Sequence, residues 1–203
     1  IEAVLDMLLP PAASPPQVLH RAMREGVFAG GKRLRPILCL ASAQAVGGDG
    51  EDALMPAAAV ECLHTHTLIH DDLPCMDDDD LRRGRPALHK VFGEATAILA
   101  GDSLLALAFE LLAATPAAGR LVLELARAAG SAGLAGGQFE DLAAEGQPPA
   151  LDRLEVIYER KTGRLISAAC RLGGIAGGGT EAELEALGRY GSHIGVAFQI
   201  VDD

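Results

Sequence analysis

The chain has 203 residues, 49% of them hydrophobic, with 3% aromatic, no Trp and a formal net charge of −11. That length suits one domain, and a core built from Leu, Ala, Val and Ile favours packed helices over a β-sandwich. The acidic balance excludes a nucleic-acid binder, which would carry a basic face. Cys39, Cys62, Cys75 and Cys170 are scattered without a CxxC pair, which argues against a disulfide framework or zinc knuckle and fits a reducing cytoplasm.

In chain order, Pro10-Pro11 and Pro15-Pro16 bracket an early loop, and a helical stretch runs from about Val18 to Gly47-Gly48. A second helix is expected from about Ala53 to Asp72, with Pro56 tolerated in its first turn and Pro74 ending it. The segment from there to Pro86 is a loop. Helical patterns resume at about Glu94–Ala114, Gly119–Ala144, Leu151–Ile175 and Glu181–Asp203. Gly130, Gly133, Gly136 and Gly137 point to close packing or a bend. No strand-like alternation is visible. There is no signal-peptide pattern, and no apolar stretch of spanning length lacks charge or Gly/Pro breaks, so no stable membrane insertion is expected. Ile1 in place of Met leads to the expectation that the true N-terminus is trimmed or missing.

The most informative segment is His70-Asp71-Asp72-Leu73-Pro74-Cys75-Met76-Asp77-Asp78-Asp79-Asp80-Leu81-Arg82-Arg83. Ionised carboxylates resist burial, so such a run is either a solvated face or a site for hard divalent cations. The apolar flanks and the patterned spacing are unlike a disordered acidic tract. Pro74 and the missing glycine at the sixth position exclude an EF-hand loop. Arginine pairs hold phosphate with a planar fork of donors. Acids for Mg²⁺ beside arginines for phosphate suggest a phosphorylated substrate.

His64 and Asp71 lie two turns apart on one helix face. Asp77 falls on the wrong face of an unbroken helix, but the break at Pro74 lets it fold back beside Asp71. Near the end of the chain, Gln199, Asp202 and Asp203 form an i, i+3, i+4 polar stripe. Taken alone it is a fraying helix end; opposite the first acidic run it resembles a second jaw. Gly30-Gly31-Lys32-Arg33-Leu34-Arg35-Pro36 binds phosphate only if Lys32 and Arg35 converge; otherwise it is a solvated basic surface. Lys161-Thr162-Gly163 is a weak motif by itself. His20, His89 and His193 are read as satisfied or surface residues. His66 and His70 are four apart, but no third ligand is evident, so zinc is not expected.

Together these residues resemble the trans-polyprenyl diphosphate synthases of the bacterial short-chain type. The resemblance covers essentially the whole chain in order: GGKRLRP at 30–36, ECLHTHTLIHDDLPCMDDDDLRRGRP at 61–86, FGEATAILAGDSLL at 92–105, GGQFEDL at 136–142, KTGRLI at 161–166 and GVAFQIVDD at 195–203. It implies an all-α fold, an isoprenoid synthase-type helical bundle around a central cavity. It implies head-to-tail condensation of isopentenyl diphosphate with an allylic diphosphate (dimethylallyl or geranyl), with Mg²⁺ bridging the allylic diphosphate to two Asp-rich motifs, and a homodimer. Carried over by position, Asp71, Asp77 and, more weakly, Asp72 are metal ligands on the first jaw and Asp202 on the second. Arg82, Lys161 and Gln199 hold the allylic diphosphate, and Thr162 places a dipole near the cation. Lys32, Arg35, His64 and Arg83 hold isopentenyl diphosphate, which binds without the metals. His66 and Thr67 lie beneath the growing chain, and the ring at His66 suggests farnesyl diphosphate as main product, with geranylgeranyl diphosphate as the alternative. The family's second motif is DDxxD and the sequence ends at Asp203, so a single domain over 1–203, incomplete at its C-terminus, is expected.

Three rivals differ in what they require. A non-catalytic subunit of a heterodimeric synthase tends to lose the aspartates, which both jaws retain. A class I terpene cyclase has no need of GGKRLRP. A helical interaction module does not account for the joint order of the motifs.

Overall fold

The computed structural model describes residues 1–146 and 151–202, with the side chains of 151 and 199–202 outside the description. Among the described residues the helices are α1 (Glu2–Leu8), α2 (Gln17–Val27), α3 (Leu34–Ala45), α4 (Leu54–Asp71), α5 (Leu88–Phe92), α6 (Glu94–Ala113), α7 (Ala118–Ala129), α8 (Leu134–Leu142), α9 (Leu151–Tyr158), α10 (Arg164–Ala176) and α11 (Glu181–Asp202). A minimal hairpin pairs β1 (Leu81–Arg82) with β2 (Arg85–Pro86). The fold is all-α, as expected.

α4 and α10 form the centre. On α4 the run Pro56–Leu63 is buried, together with Thr65, Thr67 and Ile69. On α10 Leu165, Ile166, Ala168, Ala169, Cys170 and Leu172 are buried. A helix apolar on nearly all sides must be surrounded by others. α4 packs against α6 and α3, while α10 packs against α3, α7 and α11. Alanines at 57, 58, 59, 97, 100 and 108 are buried where α4 and α6 meet their neighbours.

α6 is long and apolar enough, by length and composition, to cross a membrane. Its buried Ala97, Ala100, Leu104, Ala108, Leu111 and Leu112 mark it as a core helix against α4.

Several expected boundaries shift. The stretch from 18 to 47 divides into α2 and α3, because Gly30 and Gly31 both take positive φ. The stretch from 119 to 144 divides at 130–133, where Gly130 caps α7. The stretch from 151 to 175 is interrupted by a π turn at Glu159–Gly163. α5 and the hairpin were not foreseen. Two-residue strands are too short to show alternation, and a five-residue helix too short to show a face.

Candidate functional site

α4 ends at Asp71, and Pro74 lies in the turn that follows. The turn closes through Met76 N–H to Leu73 O (2.8 Å), Asp78 N–H to Leu73 O (3.1 Å) and Asp77 N–H to Asp71 O (2.9 Å). The last bond brings Asp77 back beside Asp71, as the spacing required. Burial first, and then the neighbouring Asp77 and Asp72, push the Asp71 carboxyl up to about 6 against the pull of Lys161 and Arg82. Two facing carboxylates with oxygen-only donors and mutual repulsion suit a hard divalent cation, so Asp71 and Asp77 fit Mg²⁺.

Asp72 differs from its neighbour, and its expected role as a metal ligand does not match its placement. Its side chain is 4% exposed. Its Oδ1 accepts from Arg82 Nε at 2.8 Å and from Arg82 Nη2. Asp79 Oδ2 accepts from the same Nη2 at 3.2 Å. A carboxylate buried under a guanidinium orients that guanidinium and is closed to a cation. Arg82 is on β1, and the next residues, Arg83 (φ 54) and Gly84 (φ 75), form the two-residue turn with both φ positive that a tight hairpin demands. The hairpin thus sends two consecutive arginines to two different places.

Arg83 joins a cavity of about 420 Å³ lined also by Lys32, Arg35, His64 and Phe198. The convergence of Lys32 and Arg35 that phosphate binding needs is therefore met. Lys32 Nζ lies 5.4 Å from the centre of the Phe198 ring, which brings α11 to the cavity. Arg35 Nη1 donates to His64 Nε2 at 3.2 Å. Burial and then the surrounding guanidiniums of Arg35, Arg83, Arg33 and Arg82 push His64 well below its ordinary value. It is a neutral acceptor, with its proton on Nδ1. Burial lowers Arg35 to about 10, which leaves it charged at neutral pH, and its Nε is buried without a partner.

Arg33, between these cations, faces inward. It contributes to the cavity wall, and its φ is 49, but its guanidinium is taken up by the core. It donates to Glu2 Oε1, Glu61 Oε1 and Val27 O, each at 2.6 Å. It ties α1, α2 and α4 together.

Lys161 and Thr162 lie in the π turn between α9 and α10. Such one-turn expansions recur at functional sites. Lys161 Nζ donates to Asp141 Oδ2 of α8 at 2.6 Å, and its charge is felt at Asp71. A Cβ on Gly137 would overlap the Lys161 backbone nitrogen, so a glycine is required for α8 to approach the π turn. Thr162 is 9% exposed. Gln199 and Asp202 lie outside the described side chains, and Asp203 outside the described residues.

Thr67, 9% exposed, donates through Oγ1 to His64 O at 2.8 Å. His66 faces α6. His193 is exposed, and His20 Nδ1 contacts Ser14 O at 2.9 Å. His89 departs from expectation: it is 6% exposed, and both ring nitrogens are buried without a partner. Sequence reasoning missed Asp141 as the anchor of Lys161 and Asp79 as a second arm on Arg82. It also missed Asp102, which joins His66 and His70 to supply the third ligand-type side chain. Both lay within family-like segments, Asp141 in GGQFEDL and Asp102 in FGEATAILAGDSLL, but their partners were not foreseen because these stand on other helices.

The polyprenyl synthetase family model matches residues 16–203. Geranylgeranyl pyrophosphate synthase 12, chloroplastic, of Arabidopsis thaliana is 51% identical over 100% of this chain and 59% of its own length. The chloroplastic geranylgeranyl pyrophosphate synthase of Capsicum annuum is 51% identical over 93% of this chain and 53% of its own. The chain thus spans a little over half the length of these relatives. The crystal structure of an FPP/GFPP synthase from Zymomonas mobilis superposes with a TM-score of 0.92 at 42% identity, covering 99% of this chain and 75% of the other. The chloroplastic relatives overturn the expected cytoplasmic location. Scattered cysteines report a reducing environment and do not distinguish one reducing compartment from another.

Proposed function

Because this chain belongs to the polyprenyl synthetase family, we propose that it condenses isopentenyl diphosphate with an allylic diphosphate to give geranylgeranyl diphosphate. One observation carries this reading: α4 serves two unlike surfaces. His64 opens onto a cationic cavity, and two turns later Asp71 faces Asp77. A substrate needing only cations and one needing a metal would bind side by side.

Lys32, Arg35 and Arg83 hold the isopentenyl diphosphate, with neutral His64 orienting Arg35. Arg82, set by Asp72, and Lys161, set by Asp141, hold the allylic diphosphate, with Gln199 as a further partner. Asp71 and Asp77, with Asp202 from the second jaw, hold Mg²⁺. When bound, Mg²⁺ neutralises negative charge on the diphosphate leaving group. Thr162 places its dipole near the allylic carbon. The apolar faces of α4 and α6 exclude water, which would otherwise quench a carbocation.

The expectation of farnesyl diphosphate gives way here. Both plant relatives are named geranylgeranyl pyrophosphate synthases. Exposed Ile98 and Leu99 on α6 support the homodimer, and the packing that links α1 to α11 among the described residues supports a single domain over 1–203, incomplete at its C-terminus.

Incubation with Mg²⁺, isopentenyl diphosphate and dimethylallyl diphosphate, then chromatography of the dephosphorylated products, tests the reading. A C20 alcohol is expected. A C15 end point would restore the farnesyl assignment, a cyclised product would point to a cyclase, and no turnover would favour a non-catalytic subunit.

A further inference from the structure

Between α4 and α6 lies a second group of metal-ligating side chains, separate from the Asp71–Asp77 pair. His66 and His70 are one turn apart on α4, and Asp102 comes across from α6. One nitrogen of each ring and one carboxylate oxygen lie within 4.8 Å of one another. His70 Nε2 is 3.7 Å from Asp102 Oδ1, and the two ring centroids are 4.3 Å apart.

Two further observations set this group apart from chance proximity. His66 Nδ1 is buried with no side chain bonded to it and no hydrogen bond of good geometry; the ring's one polar contact of this kind is to the Gly101 backbone, and a buried polar atom so poorly satisfied is costly unless something fills the role. Gly101 stands where α6 faces the rings. A Cβ there would overlap His70 Nε2 and lie 3.3 Å from His66 Nδ1. The glycine keeps open the space that the two imidazoles share.

We propose that His66, His70 and Asp102 bind a divalent cation of the zinc class, with water in the fourth position. Two imidazole nitrogens and one carboxylate oxygen suit Zn²⁺ and its first-row neighbours, whereas Mg²⁺ takes oxygen ligands. Bonds of about 2.0–2.1 Å place tetrahedral ligands about 3.3 Å apart, so the three side chains close by about an ångström on binding. Asp102 has the freedom to do so, its side chain being 55% exposed. His70 Nε2–H donates to Ile98 O at 3.2 Å; when the cation takes Nε2, the ring proton moves to Nδ1 by exchange with solvent, so the imidazole stays neutral. Bound metal would staple α4 to α6. The site does not depend on the reaction proposed above.

The test uses cobalt as a spectroscopic probe. Cys75 is exposed and is replaced in every sample (Cys75→Ser). The metal-free protein is held in excess Mg²⁺, which masks the oxygen-only acids, and titrated with Co²⁺. One equivalent should give the intense visible bands of four- or five-coordinate cobalt, and one equivalent of Zn²⁺ should abolish them. Asp102→Asn and His66→Gln should each weaken Co²⁺ binding at least ~tenfold while leaving the far-ultraviolet circular dichroism unchanged. Should His66→Gln fail to fold, Asp102→Asn decides alone, since a half-exposed acid can be replaced without loss of packing. Only weak octahedral bands, or a full signal surviving Asp102→Asn, would overturn the proposal.

Discussion

Asp72 lies beneath Arg82, its Oδ1 accepting from both Nε and Nη2 of the guanidinium. The second acid of the Asp71-Asp72 pair therefore serves an arginine, whereas the first faces Asp77. Charge-assisted bonds of this kind contribute about 1.5–3 kcal/mol. Asp72→Asn should raise KM for the allylic diphosphate roughly tenfold or more, lower kcat less, and leave KM for isopentenyl diphosphate unchanged. Steady-state kinetics with each substrate varied in turn reads this. A kcat loss as deep as that of Asp71→Ala would instead make Asp72 a metal ligand.

Arg33 and Arg35 are two positions apart and have opposite duties. Removing Arg33 leaves Glu61, 3% exposed, as an uncompensated buried charge. Arg33→Ala should destabilise the fold by about 3–5 kcal/mol, read from urea denaturation. Arg35→Ala should cost much less stability and should weaken isopentenyl diphosphate binding. Equal stability losses would mean that both arginines are structural.

His66 sets the floor under the growing chain in the proposed reading. His66→Ala should lengthen the product beyond that of the unmodified protein, measured by chromatography of dephosphorylated products. Unchanged lengths would place the floor on another residue.

The part of the site carried by one helix and its break was readable from residue order. His64 and Asp71 are two turns apart on α4, and Pro74 had to release the chain for Asp77 to return. The GGKRLRP loop was readable as a pair of converging cations, but not the turn of Arg33 into the core, because that depends on acceptors supplied by other helices. The π turn that presents Lys161 was hidden, since a widened turn has the same composition as an ordinary one. Contacts between helices were hidden for a more general reason. Helical periodicity says which residues share a face, but not which face of another helix meets it. Asp102 against His70 and Asp141 against Lys161 both belong to this class.

Asp71 gives a pH signature in the metal-free protein. Its folded value is about 6, above the roughly 3.9 of an unfolded aspartate. The folded state holds the proton more tightly, so this group's stabilising contribution is fully present below about pH 4 and is lost as pH rises through about 6. His64 and His66, both lowered, act in the opposite sense over an overlapping range, so a difference measurement is needed. Relative to Asp71→Asn, the unmodified protein should lose stability between about pH 4 and 6.5 and regain it above pH 6 when Mg²⁺ is added. A pH-independent difference in urea midpoint would contradict the shift.

The central claim is that α4 serves two diphosphates two turns apart along one face, the one at His64 bound through cations alone and the one at Asp71 through a metal. Titration calorimetry of isopentenyl diphosphate and of a non-reactive allylic thiodiphosphate, each with and without Mg²⁺, tests this most directly. Isopentenyl diphosphate should bind with similar affinity in both conditions, and the allylic analogue should bind tightly only with Mg²⁺. An isopentenyl diphosphate affinity that also requires the metal, or an allylic affinity indifferent to it, would contradict the division of the site.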